Sequence, residues 1–349
     1  MTKDTNQKPY SISRTNLPAS TLELKGEVPW EHLATFEEAA FTKLAEKIQL
    51  DGFRKGNVPK EMAKKHIPDE LLLADMAELA INDVYPMILA DESIDAIGRP
   101  EVALTKLARN NALGFTITTA VVPEIKLPDY KKIGKSTPLT DAKEIAEEDI
   151  DKVIEDLRQI RAYGHVHTEH DQHVHEEPLP EVDDAFAASF GEFKTVADMR
   201  EKVKENLIRE ADQAVQDKRR VTILEDIIKE TSFDVPTIIL DSEKQKMLAT
   251  IEADIARSGA SLDDYLKHIQ KTKEELLADF TPEAEKRARF QLVLNAIARD
   301  AKVLPTEEEV EAEAQKYIAM YPTADPNRTR AYADMMLTNE KVLALLEGK

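Results

Sequence analysis

Two short stretches of this chain hold residue types that could act chemically. His165, His167, His170, His173 and His175 fall within eleven residues and make up five of the eight histidines. Neutral imidazoles at that density can bind zinc, nickel or copper. In an extended chain His165 and His167 share a face, as do His173 and His175. Asp171, Glu176 and Glu177 alongside give the same stretch the composition of a flexible, solvated connector, in which metal binding would be adventitious. The second stretch is Gly52-Phe53-Arg54-Lys55-Gly56-Asn57-Val58-Pro59. Its glycines allow a tight turn, and its proline suits the first turn of a following helix. Phe53 at the tip could press on a partner while Arg54 and Lys55 reach phosphates.

The cationic character extends past that turn. Arg54, Lys55, Lys60, Lys64 and Lys65 face a single acid, Glu61, a local excess of positive charge in a chain of net charge −20. Phosphate-rich partners bind such a patch through counterion release, so binding weakens with salt. An ordinary interhelical turn with a solvated basic face has the same pattern. The strongly acidic balance excludes a general nucleic-acid binder and confines any RNA contact to this locality.

Enzyme constellations are missing. Gly134-Lys135-Ser136 matches the tail of a phosphate-binding loop, but the first glycine of that pattern falls on Asp129. Neither a His-Glu-x-x-His nor a Gly-x-Ser-x-Gly motif occurs. No cofactor is implied. Zero cysteines exclude disulfides and thiolate sites and fit a reducing compartment. Residues 1–30 contain no continuous apolar region, which predicts no signal peptide, and no window is apolar enough for a membrane span.

The elements that must position these residues follow from periodicity. Residues 1–19 are polar and read as a frayed terminus. Thr21 to Val28 reads as a strand, and Thr35-x-x-Glu38 as a capping box for a helix carrying Phe36, Ala40, Leu44 and Ile48. After the glycine-flanked turn, Leu72, Met76, Ala80, Val84 and Ile88 recur every four residues. Pro86 is expected to kink or end that helix near Tyr85. Val102 and Leu104 suggest a short strand, and the alternation from Phe115 to Val121 a clearer one. Residues 20–127 thus predict a small α+β domain. Residues 128–143 read as a linker and 144–161 as a helix. From Phe186 onward the pattern is helical, with one helix from Thr195 to Glu230 of roughly 50 Å, at about 1.5 Å per residue. Pro236 starts the next helix, and others follow near 261–279, 282–300, 305–321 and 327–347. The acidic runs Glu147-Glu148 and Glu307-Glu308-Glu309 favour helix starts. Met199, Met247, Met320, Met335 and Met336 are core filler or, where exposed, adaptable contacts.

The turn and its flanks resemble the ribosome-docking loop of the trigger factor family, bacterial nascent-chain chaperones with a Gly-Phe-Arg-x-Gly-x-x-Pro motif between two helices. Phe233-Asp234-Val235-Pro236 with Leu240-Asp241-Ser242-Glu243 is similar to the family's passage between arm helices. Gly191-Glu192-Phe193-Lys194-Thr195-Val196 resembles the entry to its C-terminal domain. The resemblance covers about residues 20–162 and 183–347. It implies an α+β fold class: a ribosome-binding domain over 1–134 and an elongated, all-helical C-terminal chaperone domain with arms. Residues 135–162 would be a linker and the first helix of the C-terminal body, 163–182 a histidine-rich linker and 183–349 the substrate-binding domain. By match of position, Phe53, Arg54 and Lys55, flanked by Gly52 and Gly56, inherit docking to protein and rRNA near the tunnel exit. The implied partners are the ribosome and unfolded nascent polypeptides, with a homodimer away from the ribosome and no membrane; the implied location is the cytoplasm. The family's FKBP-type prolyl isomerase domain needs about a hundred residues for its own core. Only Gly164 to Val182 is available, without Phe, Tyr or Trp, so neither that domain nor its catalysis is expected. The competing expectations are a prolyl isomerase, a metal-binding protein acting through the histidines, and an exported periplasmic chaperone, against which the missing signal peptide speaks.

Overall fold

Alternating apolar residues in two central strands anchor a four-stranded antiparallel sheet near the start of the chain. In the computed structural model, which describes residues 8–48, 60–163, 179–191 and 193–348, its strands are β1 (Ser11–Leu17), β2 (Thr21–Val28), β3 (Ala96–Lys106) and β4 (Leu113–Val121), in the order β1-β2-β4-β3. Leu24 and Val102 both lie opposite Ile117, and Gly26 and Leu104 opposite Phe115. Leu22, Leu24, Val28, Leu113, Phe115 and Ile117 are buried on one face. The other face, with Glu23, Lys25 and Thr116, is polar.

Between β2 and β3 run α1 (Trp30–Leu33), a 3-10 turn (Ala34–Phe36), α2 (Glu37–Ala45), α3 (Lys60–His66) and α4 (Asp69–Asp91). The predicted stripe of α4 is its buried face: Leu72, Met76, Ala80, Val84 and Ile88 join the sheet residues in one core. That core also takes in Ala40, Phe41 and Leu44 of α2.

Three expectations need correction here, and of the two outcomes expected at Pro86 the helix end does not occur. The polar stretch before residue 20 contains β1, an exposed edge strand held by main-chain pairing to β2, so it carries no burial alternation to read. Helix α4 passes through Pro86 without ending. The ring removes the bond to the Asn82 carbonyl, but both residues face water, and buried Val84 and Ile88 hold the helix on either side. Thr35 and Glu38 form no capping box. Leu33 to Glu37 are already helical, so no free helix start exists there, and the Thr35 hydroxyl donates to the His32 carbonyl at 2.7 Å. Residues 130–136, expected within a linker, form α5 (Tyr130–Ser136).

The remaining elements are helical: α6 (Glu147–Tyr163), α7 (Asp184–Ala188), α8 (Val196–Lys229), α9 (Thr237–Arg257), α10 (Leu262–Ile269), α11 (Lys273–Asp279), α12 (Thr281–Ala301), α13 (Glu307–Met320) and α14 (Pro326–Glu347). Thr195 caps α8 by accepting from the Asp198 N–H. The acidic run at α13 sits in the first turn, where Thr306 and Glu309 complete a capping box. The stretch 261–279 is two helices because Gln270 turns left-handed (φ 54°) and Thr272 with Glu275 opens a new capping box.

The chain divides into two compact units, one drawn from Met1–Lys126 and Ser232–Leu292, the other from Leu127–Thr231 and Val293–Lys349. In the first, the Ser20 hydroxyl donates to the Asp234 carbonyl at 2.8 Å. In the second, Ile150 and Ile154 of α6 pack with Phe186 of α7 and Met199 and Val203 of α8. Helix α5 packs on α8 and α14. A Cβ built on Gly134 would lie 2.3 Å from the Leu346 carbonyl oxygen of α14, too close for any side chain. Arg219 of α8 donates to the Gly134 and Thr137 carbonyls at 3.1 and 3.0 Å. The Tyr130 hydroxyl donates to Asp300 at 2.6 Å, and burial first, then Asp300, pushes its phenol up to about 12.

Gly134→Ala is therefore expected to destabilise the protein. In an open helix the same change stabilises by roughly 0.5–1 kcal/mol. Here backbone meets backbone, and overpacking costs about 1–3 kcal/mol. Urea unfolding measures the difference, and an unchanged or higher midpoint would show that α5 and α14 can separate freely.

Candidate functional site: a docking frame and an apolar helix hairpin

The predicted docking residues Gly52, Phe53, Arg54, Lys55 and Gly56 lie outside the described residues, as do His165, His167, His170, His173 and His175. The elements that present the first group are described. Helices α2 and α3, which bracket the turn, pack against each other, and α2 packs on α4. Ala63 is the buried residue of α3 and belongs to the core beneath the sheet.

Charged side chains tie this frame. Arg109 reaches Asp69, in the first turn of α4, at 2.7 Å through Nε, and Glu37, in the first turn of α2, at 3.0 Å. Those carboxylates push the Arg109 guanidinium further up from its ordinary range, and Arg109 holds Asp69 below the usual carboxylate range. Lys43 of α2 donates to Asp75 and Glu78 of α4 at 3.3 and 3.0 Å. Lys60 bonds Glu38. Lys64 and Lys65 are exposed and form no salt bridge among the described residues, so of the predicted basic run they remain available to a phosphate. Met62 and Leu71 are exposed beside them in sequence.

The histidine stretch leaves from the end of α6. Where the description resumes, Arg158 of α6 donates to the Pro180 carbonyl at 2.8 Å, so the returning chain is fastened to the same helix. Among the described residues no cluster of His, Cys, Asp or Glu could hold a metal ion.

Helices α13 and α14 form the second feature. They pair through small residues, Ala314 and Ala333, with Val310. Lys341 donates to Glu309 at 2.6 Å. The Tyr317 and Tyr332 rings meet edge to face at 5.3 Å. Beyond this seam Met320 is 67% exposed, Tyr321 60%, Tyr332 46% and Met336 40%. The predicted methionines therefore divide. Met199 is fully buried, Met247 and Met335 are half-buried, and Met320 and Met336 are exposed. Sequence reading missed the tyrosines. The available signal was the spacing of Tyr332 from Met336, four residues, which places that pair on one face of α14, with Tyr321 capping the end of α13. Flexible thioethers and amphipathic rings suit contact with varied apolar segments.

Comparison with known proteins places this geometry. The family model for "Bacterial trigger factor protein (TF)" matches residues 10–157, and that for the "Bacterial trigger factor protein (TF) C-terminus" matches 195–346. A trigger factor of Clostridium beijerinckii is 22% identical, with 89% of this chain and 91% of that protein covered. One from Shouchella clausii is 24% identical, covering 81% and 83%. The Clostridium match runs over 392 positions, more than the 349 residues of this chain, so that relative has segments without a counterpart here. A solved structure described as "Promiscuous Substrate Recognition in Folding and Assembly Activities of the Trigger Factor Chaperone" shares the fold, with a TM-score of 0.51 at 16% identity over 97% of this chain and 99% of that one.

Ala63→Glu is expected to lift α3 off its seat, because a carboxylate cannot be buried there without a partner. Hydrogen exchange reads this directly. Amides of 60–66 should lose protection at least about tenfold, as for any locally unfolding segment, while those of β2 and β4 keep theirs. Unchanged protection would mean that α3 is not held through Ala63.

Proposed function

The chain belongs to the trigger factor family, and from that membership we propose that it is a ribosome-associated holdase that binds emerging polypeptides at the tunnel exit. Its work is binding without covalent chemistry. The observation that supports client binding is the exposure of Met320, Tyr321, Tyr332 and Met336 on and beside the α13–α14 hairpin. Such a patch is costly to leave in water and gains when an unfolded segment covers it. Phe53, Arg54 and Lys55, between Gly52 and Gly56, would anchor the protein, supported by the frame of α2, α3 and α4 that brackets them. The proposed partners are ribosomal protein and rRNA, and nascent chains. The proposed location is the cytoplasm. Among the described residues no helix is long and apolar enough to cross a membrane. Prolyl isomerase activity is not proposed. The two family matches leave only residues 158–194 between them, and a domain of about a hundred residues does not fit there.

Two measurements test this reading. Replacing Phe53, Arg54 and Lys55 together by alanine should abolish ribosome co-sedimentation while circular dichroism stays unchanged. Two lost phosphate contacts should also flatten the log–log salt slope by roughly 1–2. Full binding by the folded variant would refute the docking role. Replacing Met320, Tyr321, Tyr332 and Met336 together by serine should raise at least about fivefold the concentration needed to suppress aggregation of an unfolded client, each buried side chain being worth roughly 1.5–3 kcal/mol at most. Unaltered suppression would place client binding elsewhere.

A further inference from the structure

Helix α5 holds a feature that neither docking through α2–α4 nor client binding uses. Its inner side, with Tyr130, Gly134 and the following Thr137, is buried. Its outer side presents Lys131, Lys132 and Lys135, all exposed, which with Asp129 and Ser136 line a surface depression. None of the three lysines forms a salt bridge among the described residues, although acids outnumber cations 67 to 47 in the chain. Lys131 lies over the neighbouring Tyr130 ring, at 5.9 Å from its centre. Asp129 is already engaged, its carboxylate accepting from the Lys132 N–H at 3.0 Å. The lysine ammonium groups, not the helix end, therefore supply the charge.

We propose that this face of α5 is a second contact with the phosphate backbone of RNA, made when the protein is docked at the ribosome; it rests on the docking reading above. Three observations favour RNA. Lys131 and Lys135 stand four residues apart on a helix, about 6 Å between Cβ atoms, a spacing that lets neighbouring phosphates each meet one ammonium. The residues that line the depression are all polar or charged, and lysine is depleted from the centres of protein–protein interfaces. A chain of net charge −20 can lie close to a polyanion only where its own cations turn outward. The platform is also fixed in advance: Gly134 against Leu346, the two Arg219 bonds and Tyr130 on Asp300 hold α5 before any partner arrives. Contacts of this kind position a protein and carry no sequence preference.

The test compares K131Q/K132Q/K135Q with a control of equal charge change, K152Q/K204Q/K218Q, whose lysines are exposed on α6 and α8. Co-sedimentation with ribosomes is measured against salt, and anisotropy with a 20-nucleotide single-stranded RNA. The α5 variant should bind ribosomes at least about tenfold more weakly than the control and show a salt slope flatter by about 2, from three lost phosphate contacts. Its binding to the RNA probe should fall in parallel. Identical behaviour of the two variants would overturn the second contact while leaving docking through Phe53 intact. Weaker ribosome binding with unchanged RNA binding would overturn the RNA assignment in favour of an acidic protein surface. Failure of the wild type to bind ribosomes at all would overturn both this inference and the function it rests on.

Discussion

The second unit depends on a contact with no side chain in it. At Gly134 the backbone of α5 lies against the Leu346 carbonyl of α14, closer than any Cβ allows. Around that contact Arg219 of α8 satisfies the Gly134 carbonyl of α5 and the Thr137 carbonyl just after it, and Arg220 pairs with Glu347 at 2.5 Å at the end of α14. Glu347 is almost wholly buried, and its carboxylate holds the Arg220 guanidinium above its ordinary range. Breaking such a pair by removing one partner is strongly destabilising, because the remaining charge is left buried. Three helices far apart in sequence are thus fastened at one node. From it α14 extends back to α13 and to the tyrosine–methionine face.

Strand β2 and the stripe of α4 were legible because burial repeats with a period of two or nearly four, and Leu22, Leu24, Met76 and Val84 kept to it. Helix α8 was legible through its apolar stripe and the Thr195 cap. Strand β1 and helix α5 were not. Ser11–Leu17 is held by hydrogen bonds to β2 with nearly all its side chains exposed, so composition carries no signal of it. In 128–143 the glycine that reads as linker chemistry is required for the close approach of α5 to α14.

The candidate site was legible to a lesser degree. The docking motif rests on residue types at fixed spacing. What the structure adds is the frame that brackets it: Ala63 beneath α3, and Arg109 spanning the first turns of α2 and α4. The exposed methionines and tyrosines of α13 and α14 were half legible, since methionines in helices do not declare whether they are buried. Met199 and Met320 look alike in sequence and differ completely in exposure. The basic face of α5 lies in the stretch that reads as a linker, where Gly134-Lys135-Ser136 matches only the tail of a phosphate-binding loop. Its glycine turned out to be packing, and its lysines surface charge.

Docking and holding are separate acts in this account, and the central claim is that the first delivers clients to the second. The most direct measurement places a photoreactive phenylalanine analogue at position 332, beside Met336 and Tyr317, and irradiates ribosomes stalled on an unfolded apolar nascent chain. The account predicts cross-links from position 332 to the nascent chain, and their loss when Phe53, Arg54 and Lys55 are alanine in the same protein. Cross-links of equal yield with and without the docking residues, or none at all from a protein bound to the ribosome, would contradict it.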